Sequence, residues 1–136
     1  MSSKILIVED HAETRHLLGA LLEIEGYNIV CAQDGQEGFE SARQESPDLI
    51  VTDIGMPRVD GIELIRMIRE DSSCRSVPVI VVTAYGDSAC SKAIEIGANA
   101  AIDKPLQFDS LLDLIRKLLI ALMLFADSGI ASNLLH

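Results

Sequence analysis

Three carboxylates, one hydroxyl and one ammonium group follow short apolar runs of the sequence. Glu9 and Asp10 follow the first run, and Asp53 follows the third. Thr83 follows the fourth run, and Lys104 comes shortly after the fifth. If the runs are parallel strands of one sheet, their carboxyl ends meet at the edge where such sheets bind ligands. The sequence therefore predicts that these five side chains form one site.

The predicted site places several carboxylates close together. A pair of carboxylates about 4 Å apart costs on the order of 4 kcal/mol at an effective dielectric of about 20. A hard divalent cation offsets this repulsion, and Mg²⁺ binds carboxylates together with waters and phosphate oxygens. Phosphoryl transfer also needs a nucleophile and donors to the phosphoryl oxygens. Asp53 can be the nucleophile, and Lys104 and Thr83 can be the donors.

The elements that would position these residues alternate along the chain. Short β-branched runs predict five strands, and the first, third and fourth lack polar alternation, which indicates burial on both faces. The runs are 5–8, 29–31, 49–52, 79–82 and 100–102. Helical spacing lies between them, and the fourth helix is expected to begin after Asp87 and Ser88 and to end at Gly97. Five βα units predict a doubly wound, three-layer α/β domain.

Length and composition restrict the class of protein. The 136 residues fit one domain, and 21 acidic against 11 basic side chains give a formal net charge of −10. This charge argues against nucleic-acid binding and against docking to an anionic membrane. The longest apolar stretch, 118–126, is shorter than the roughly 20 residues of a spanning helix. Cys31, Cys74 and Cys90 match no zinc or disulfide pattern, so we expect reduced thiols and a cytoplasmic protein.

A set of short motifs follows the predicted strands in a fixed order. They are Val8-Glu9-Asp10, 47–53, Met56-Pro57, Asp60-Gly61, Val82-Thr83-Ala84, Gly97-Ala98 and Lys104-Pro105. Together they make the sequence resemble a response-regulator receiver domain of two-component signalling, over 4–119. The resemblance implies a parallel sheet of order 2-1-3-4-5, the order already known for the chemotaxis member of this family.

The resemblance also implies roles for the acidic residues. Asp53 would accept a phosphoryl group from a histidine kinase or a histidine phosphotransfer protein. Asp10 and Asp53, with the backbone carbonyl of Gly55, would ligate Mg²⁺ or Mn²⁺. Glu9 would hold the ion through a water molecule.

On the phosphoryl side, the resemblance implies that Lys104 pairs with the Asp53 carboxylate and then with the phosphoryl group. The Thr83 hydroxyl and the Ala84 amide would bind phosphoryl oxygens. The Lys104–Pro105 bond would be cis, a geometry found almost only before proline. The domain would act as a switch on a downstream protein, and it would catalyse only its own phosphorylation and dephosphorylation.

One position departs from the family pattern. The family commonly has Tyr or Phe three residues before the lysine, as a ring that rotates when the threonine moves, and this chain has Ala101 there. Movement of Thr83 must therefore reach the surface by another route. Tyr85 is a candidate substitute for that ring, or a gate that restricts water access to the phosphorylation site.

The second departure is the length of the chain after the expected fifth helix. We assign 1–121 to the receiver domain and 122–136 to an apolar extension of that helix, not to a separate domain. The extension could self-associate, fold back onto the domain, or belong to a truncated region. We favour a partner contact or a homodimer that uses the fourth helix, the fifth strand, the fifth helix and the tail.

Two other functions are weighed against the switch. A phosphorylation-independent protein-binding module is favoured only by Ala101, and the complete acid set argues against it. A metal-dependent phosphatase with an aspartyl intermediate is disfavoured because Gly55 stands where a second aspartate would be needed.

Other polar residues are given structural interpretations. The histidines show no ligand pattern and are predicted to lie at the surface or at a helix start; they are His11, His16 and His136. Four arginines are predicted to form a solvated helix face, namely Arg58, Arg66, Arg69 and Arg75.

Overall fold

The computed structural model describes residues 2–56 and 58–125, along which strands and helices alternate. The strands are β1 (Lys4–Val8), β2 (Asn28–Ala32), β3 (Leu49–Asp53), β4 (Val79–Thr83) and β5 (Ala100–Asp103). The helices are α1 (Ala12–Ile24), α2 (Gly35–Glu45), α3 (Gly61–Glu70), α4 (Gly86–Glu95) and α5 (Phe108–Phe125).

The five strands are parallel and lie in the order β2-β1-β3-β4-β5, which confirms the predicted fold. β1 pairs with both β2 and β3, so the direction of winding reverses there, and ligands bind at such reversals. The register places Val8 beside Thr52 and Asp53 beside Val82. The residues that follow β1, β3 and β4 consequently reach one edge of the sheet together.

Two apolar layers enclose the sheet. α2, α3 and α4 cover one face, while α1 and α5 cover the other. Successive strand residues alternate between the layers, so Leu6 faces the first and Ile7 the second. β1, β3 and β4 are buried along nearly all of their length, as their unbroken apolar sequence predicts. Each large side chain buried in this way stabilises the fold by about 1.5–3 kcal/mol.

α3 begins directly against the end of β3. The Gly61 amide donates to the Ile54 carbonyl at 2.8 Å, and a β-carbon at Gly61 would lie 2.2 Å from the Asp53 carbonyl oxygen. Only glycine fits this approach. The Asp60 carboxylate caps the helix by accepting from the Glu63 amide at 2.9 Å. The chain after Asp53 is therefore fixed within a few residues of the site.

α4 begins earlier than the sequence predicts. Its N-cap is Tyr85, so the expected start after Asp87 and Ser88 is wrong, and both residues lie in the first turn. The Tyr85 amide donates to Thr83 Oγ1 at 3.0 Å, and this turn directs the chain into the helix at once. The helix ends before Gly97, whose φ of 124° is in the left-handed region, as predicted.

α5 extends beyond the expected receiver boundary. It is helical to Phe125, and Met123 and Leu124 are exposed on it. Residues 126–136, the rest of the predicted extension, lie outside the described residues. Among the described helices, none combines the length and apolar character needed to cross a membrane.

Candidate functional site

The structure places all five predicted site residues at the carboxyl edge of the sheet. Asp53 ends β3 and Thr83 ends β4, while Glu9, Asp10 and Lys104 lie in the loops after β1 and β5. Thr83, Glu9 and Asp53 are almost fully buried, and Asp10 and Lys104 are half-buried. Acidic groups seldom lie so deep unless a cation or hydrogen bonds compensate them.

Lys104 provides a positive charge inside this acidic group. Its Nζ lies 3.2 Å from Asp53 Oδ2 and 3.7 Å from Glu9 Oε1. Burial lowers the pKa of Lys104, but the nearby carboxylates outweigh burial and raise that pKa above its usual value. The ammonium group therefore stays charged at neutral pH. Its backbone is fixed too, because the Lys104 amide donates to the Thr83 carbonyl at 2.8 Å and the Lys104–Pro105 bond is cis, as expected.

The two oxygens of Asp53 have different surroundings. Oδ1 accepts from the Ile54 amide at 2.7 Å, which fixes the orientation of the carboxylate. Oδ2 faces the Lys104 ammonium group. The backbone thus holds one oxygen, while the other faces a cation. This arrangement suits a nucleophile, because the cation can stabilise the negative charge of the group that is transferred to it.

The remaining acids fit a divalent cation. Burial raises the pKa of Glu9, and the neighbouring Asp10 and Asp53 raise it further. Asp10 Oδ1 is buried and accepts no hydrogen bond from any described residue. A buried carboxylate oxygen without a donor costs free energy that a cation removes. Glu9, Asp10 and Asp53 thus bring carboxylate oxygens, the kind of ligand that Mg²⁺ prefers, to one edge of the sheet.

Thr83 is the last residue of the neighbouring strand β4, one residue beyond the register partner of Asp53, and Ala84 follows it. Thr83 is fully buried, and its hydroxyl accepts from the Tyr85 amide at 3.0 Å. Ala84 is exposed in the turn between β4 and α4. A hydroxyl and a backbone amide therefore border the site on the α4 side.

Tyr85 covers the loop that follows Asp53. A β-carbon at Gly55 would lie 2.5 Å from the Tyr85 phenol oxygen, so the ring lies against this glycine. Tyr85 is nevertheless 65% exposed, which leaves its outer side open to solvent. The sequence predicted a role for Tyr85 near the site, and the structure places the ring there. It also shows why Gly55 must be small.

The comparisons with known proteins agree with this geometry. The family described as "Response regulator receiver domain" matches residues 5–116. The chain belongs to the response regulator receiver family. The receiver is 42% identical, over 103 residues, to the probable transcriptional regulator ycf27 of Guillardia theta, a match covering 75% of this chain but 39% of that protein.

Two further comparisons cover nearly whole proteins. The polar-differentiation response regulator DivK of Brucella ovis is 33% identical over 120 residues, which are 88% of this receiver and 98% of DivK. The chemotaxis response regulator CheY4 of Vibrio cholerae has a structure with a TM-score of 0.80 and 25% identity, covering 86% of this receiver and 98% of CheY4. Receiver domains are signalling switches that histidine kinases or phosphotransfer proteins phosphorylate, and they generally bind Mg²⁺ at an acidic pocket.

A clamp that sequence reasoning missed holds the receiver's β3–α3 loop against α2. The Gly35 amide donates to the Val59 carbonyl at 3.1 Å, and a β-carbon at Gly35 would lie 2.0 Å from that oxygen. Arg58, with a left-handed φ of 65°, forms an ion pair with the buried Asp34. The Glu37 amide, and then Arg58, lower the pKa of Asp34. The prediction that Arg58 belongs to a solvated helix face is therefore wrong.

Arg69 also differs from its predicted role. It is half-buried and donates to the Gly97 carbonyl from Nε and Nη2 at 3.0 and 2.8 Å. It also donates to the Val77 carbonyl at 2.6 Å and to Asn99 Oδ1 at 3.0 Å. Burial lowers the pKa of Arg69, and none of these partners is a carboxylate. Arg69 ties α3 to the end of α4, and no local pattern in the sequence indicates this.

His11 is the other residue that the sequence did not assign to the site. It is the N-cap of α1, so the predicted helix-start position is confirmed. The structure nevertheless groups its ring with Glu9 and Asp10, and one potential ligand atom from each lies within 4.8 Å of the others. The grouping arises because the three residues are consecutive and the turn between β1 and α1 folds them together.

Ala101 lies beside a surface pocket on the α4–β5 face of the receiver. The pocket measures about 400 Å³ and is lined by Cys90, Ser91, Ile94 and Ala101. A separate cavity of about 210 Å³ adjoins Asp53 and Lys104 and is bounded by apolar residues of β1, α1 and β3. The first pocket lies beside position 101, and the second adjoins the side chains of Asp53 and Lys104.

Proposed function

We propose that this receiver is a phosphoacceptor switch in which Asp53 takes a phosphoryl group from a phosphohistidine of a histidine kinase or phosphotransfer protein. The observation that carries the proposal is the buried Asp53 carboxylate, whose Oδ2 faces Lys104 at 3.2 Å. Oδ2 attacks phosphorus, the P–N bond to the donor imidazole breaks, and its electron pair returns to the imidazole nitrogen. The product is an aspartyl phosphate.

The surrounding residues would stabilise the charge that moves onto the phosphoryl oxygens. Lys104 pairs with the Asp53 carboxylate in the structure, and we propose that it pairs with the phosphoryl group afterwards. The Thr83 hydroxyl and the Ala84 amide border the same edge and would donate to phosphoryl oxygens. Removing one such donor from a buried site typically lowers the rate about 10²–10³-fold.

We further propose that Mg²⁺ or Mn²⁺ binds at Asp10, Asp53 and the Gly55 carbonyl, with Glu9 acting through water. The unpartnered Asp10 Oδ1 and the clustered acids support this assignment. The ion supplies neutralising charge to the phosphoryl oxygens. The Ile54 amide and the Lys104 ammonium group orient the Asp53 carboxylate.

The Tyr85 ring is the proposed gate for water. Because it lies against Gly55 and next to Thr83, it restricts access to the Asp53 side of the site. Replacing Tyr85 with Ala should speed hydrolysis of the aspartyl phosphate severalfold, whereas Tyr85→Phe should preserve the wild-type rate. The measurement is the decay of phosphorylated protein with time. Equal decay rates for the three proteins would contradict the gate.

The output surface is proposed to be the face formed by α4, β5 and α5, to which the 122–136 extension is added. Exposed Ile120, Met123 and Leu124 support an apolar contact with a partner or a second copy. Sedimentation of the wild type and of a Met123→Ser/Leu124→Ser variant tests the homodimer. Concentration-dependent association that this variant abolishes is expected, and monomeric behaviour of both proteins would exclude the dimer.

The cysteines bear on the proposed compartment. The three free thiols, Cys31, Cys74 and Cys90, support the proposed cytoplasmic location.

A phosphorylation-independent binding module is the rival function, and it is favoured only by Ala101, which removes the usual moving ring. The two functions differ in whether Asp53 is phosphorylated at all.

Incubation with Mg²⁺ and acetyl phosphate, followed by intact-mass measurement, tests the proposed function. The wild type should gain a single phosphoryl group and Asp53→Asn none. Asp113→Asn, which changes an exposed α5 aspartate, is the matched control and should behave as wild type. Absence of an adduct on the wild type, at every Mg²⁺ concentration, would favour the binding module.

A further inference from the structure

His11 lies at the entrance of the acid pocket and does not serve the helix that it begins. It occupies the N-cap of α1, where Ser, Thr, Asp and Asn are preferred because their side chains accept from backbone amides. The His11 ring makes no such capping hydrogen bond. Its Nδ1 instead lies 3.4 Å from Glu9 Oε2 and 3.4 Å from Asp10 Oδ1. The ring is therefore free for another role beside two carboxylates.

The carboxylate oxygens that face His11 have few other partners. Asp10 Oδ1 is buried and has no hydrogen-bond donor among the described residues. Glu9 Oε2 accepts from the His11 backbone amide at 3.1 Å, while the other Glu9 oxygen faces Lys104. Two carboxylate oxygens and one imidazole nitrogen thus lie close together without a hydrogen bond from the ring to either oxygen.

The spacing of these atoms suits a small metal ion. At metal–ligand bonds of roughly 2.1 Å, adjacent ligand atoms in a tetrahedral shell lie about 3.4 Å apart. Both distances from His11 Nδ1 have this length. His11 is exposed, so its ring can adjust without disturbing the core, whereas the buried Glu9 supplies a fixed ligand.

We propose that Glu9, Asp10 and His11 bind a first-row transition-metal dication, such as Zn²⁺, with His11 Nδ1 as a direct ligand. The inference rests on the proposed function, because Asp10 also belongs to the cation site of the phosphoacceptor; Glu9, which acts on Mg²⁺ through water, would ligate Zn²⁺ directly. Imidazole nitrogen suits Zn²⁺, whereas Mg²⁺ and Mn²⁺ prefer oxygen ligands and waters. His11 therefore makes the pocket selective for ions that accept nitrogen.

A purely electrostatic role for His11 predicts the opposite behaviour. An imidazolium group that neutralised Glu9 and Asp10 would compete with every cation. Its removal would then strengthen the binding of Mg²⁺, Mn²⁺ and Zn²⁺ alike. The direction of the change on removing His11 separates a ligand from a counter-ion.

Calorimetric titration of the full chain with Mn²⁺, Zn²⁺ and Mg²⁺ tests the proposal. His11→Ala should weaken Zn²⁺ binding about tenfold or more and leave Mg²⁺ and Mn²⁺ binding nearly unchanged. His16→Ala, which removes an exposed histidine of the same helix, should bind all three ions as wild type does. Equal or stronger binding of Zn²⁺ by His11→Ala would overturn the proposal.

A spectroscopic measurement shows whether the ring itself holds the ion. In imidazole NMR spectra of the wild type, Zn²⁺ should shift the His11 resonances and leave those of His16 in place. Unshifted His11 resonances would refute direct ligation.

The Asp10→Asn variant distinguishes failure of the His11 proposal from failure of the proposed cation site. If wild type and His11→Ala bind all three ions equally well and Asp10→Asn binds none, only the role of His11 fails. If the wild type binds none of the ions, the cation site of the proposed function fails with it.

Discussion

α3 and α4 pack on the same face of the sheet, and both begin beside the site, yet they are anchored very differently. α3 buries Gly61, Leu64, Ile65 and Ile68, and its first turn is capped by Asp60. α4 buries only Ala93, and its N-cap Tyr85 makes no side-chain capping bond. The helix that follows Asp53 is therefore fixed, whereas the helix that follows Thr83 is held weakly.

The attachment of α4 is also uneven along its length. Arg69 holds the Gly97 carbonyl just after its C-terminal end, while Gly86, at its N-terminal end, has a left-handed φ of 82°. Elements with few buried contacts open at the lowest free-energy cost. We infer that a phosphoryl group on Asp53 leaves α3 in place and moves the N-terminal turn of α4. This movement would reach the proposed output face even without an aromatic residue at position 101.

Truncation of one apolar side chain in each helix should give the largest difference in the free energy of unfolding. Leu64→Ala removes a fully buried side chain from α3 and should lower the free energy of unfolding by about 2–5 kcal/mol. Ile94→Ala in α4 changes a side chain that is 46% exposed and should cost less than about 1 kcal/mol. Urea denaturation of both variants measures this. Similar losses in the two helices would contradict the comparison.

Removing the tie between α3 and α4 should have the next largest effect. Arg69→Met leaves several carbonyl oxygens without their charged donor and should cost about 1.5–3 kcal/mol. Amide hydrogen exchange should then accelerate at the C-terminal end of α4. Arg66→Met, one turn away on the exposed side, is the control and should leave both quantities unchanged. Unaltered exchange in Arg69→Met would show that Arg69 does not anchor α4.

The loop clamp should contribute a smaller, pH-dependent amount. Asp34→Ala loses the α2 cap and the Arg58 partner and should cost about 0.5–2 kcal/mol at neutral pH. The folded-state pKa of Asp34 is lowered, so its contribution is complete above the unfolded value of about 3.9 and is lost as pH falls through the folded value. The stability difference from wild type should therefore shrink below about pH 4.

Asp60→Ala is the matched comparison for this clamp, because it removes the cap of α3 without breaking an ion pair. Chemical denaturation at several pH values compares the two variants. At neutral pH, Asp60→Ala should lose less free energy of unfolding than Asp34→Ala. A constant difference between wild type and Asp34→Ala down to pH 2 would contradict the assigned pKa direction.

Filling the pocket at position 101 should have the smallest effect on the domain itself. Ala101→Phe places a ring in the space bordered by Cys90 and Ile94, where little is packed. The free energy of unfolding should change by less than about 0.5 kcal/mol, and the rate of phosphorylation should not change. Thermal denaturation and the acetyl phosphate reaction check both. A clear fall in the phosphorylation rate would mean that the α4–β5 face and the site are coupled more tightly than the comparison implies.

The sequence predicted the fold because each strand carries its own pattern. The runs around Ile7, Val51 and Val81 are apolar on both faces, which parallel strands covered by helices require. The start of α4 was predicted wrongly, since Asp87 and Ser88 have good capping side chains. The turn made by Thr83 and Tyr85 overrides that local preference.

The site was predictable in position but not in its supports. Asp53, Thr83 and Lys104 follow strands, so the parallel sheet brings them together. The Arg58–Asp34 pair and the Arg69–Gly97 contact join residues far apart in the sequence, and they arise only from tertiary packing. His11 adjoins the acids in sequence, but its missing cap and its distance to Asp10 needed the structure.

The central claim, that Asp53 is the phosphoacceptor, is tested most directly by locating the modification. Borohydride reduces an aspartyl phosphate to an alcohol, which marks the residue permanently. After reaction with Mg²⁺ and acetyl phosphate, reduction and proteolysis, the peptide masses should show one reduced residue, and it should be Asp53. A mark at Glu9, at Asp10 or at another acid in place of Asp53 would contradict the account.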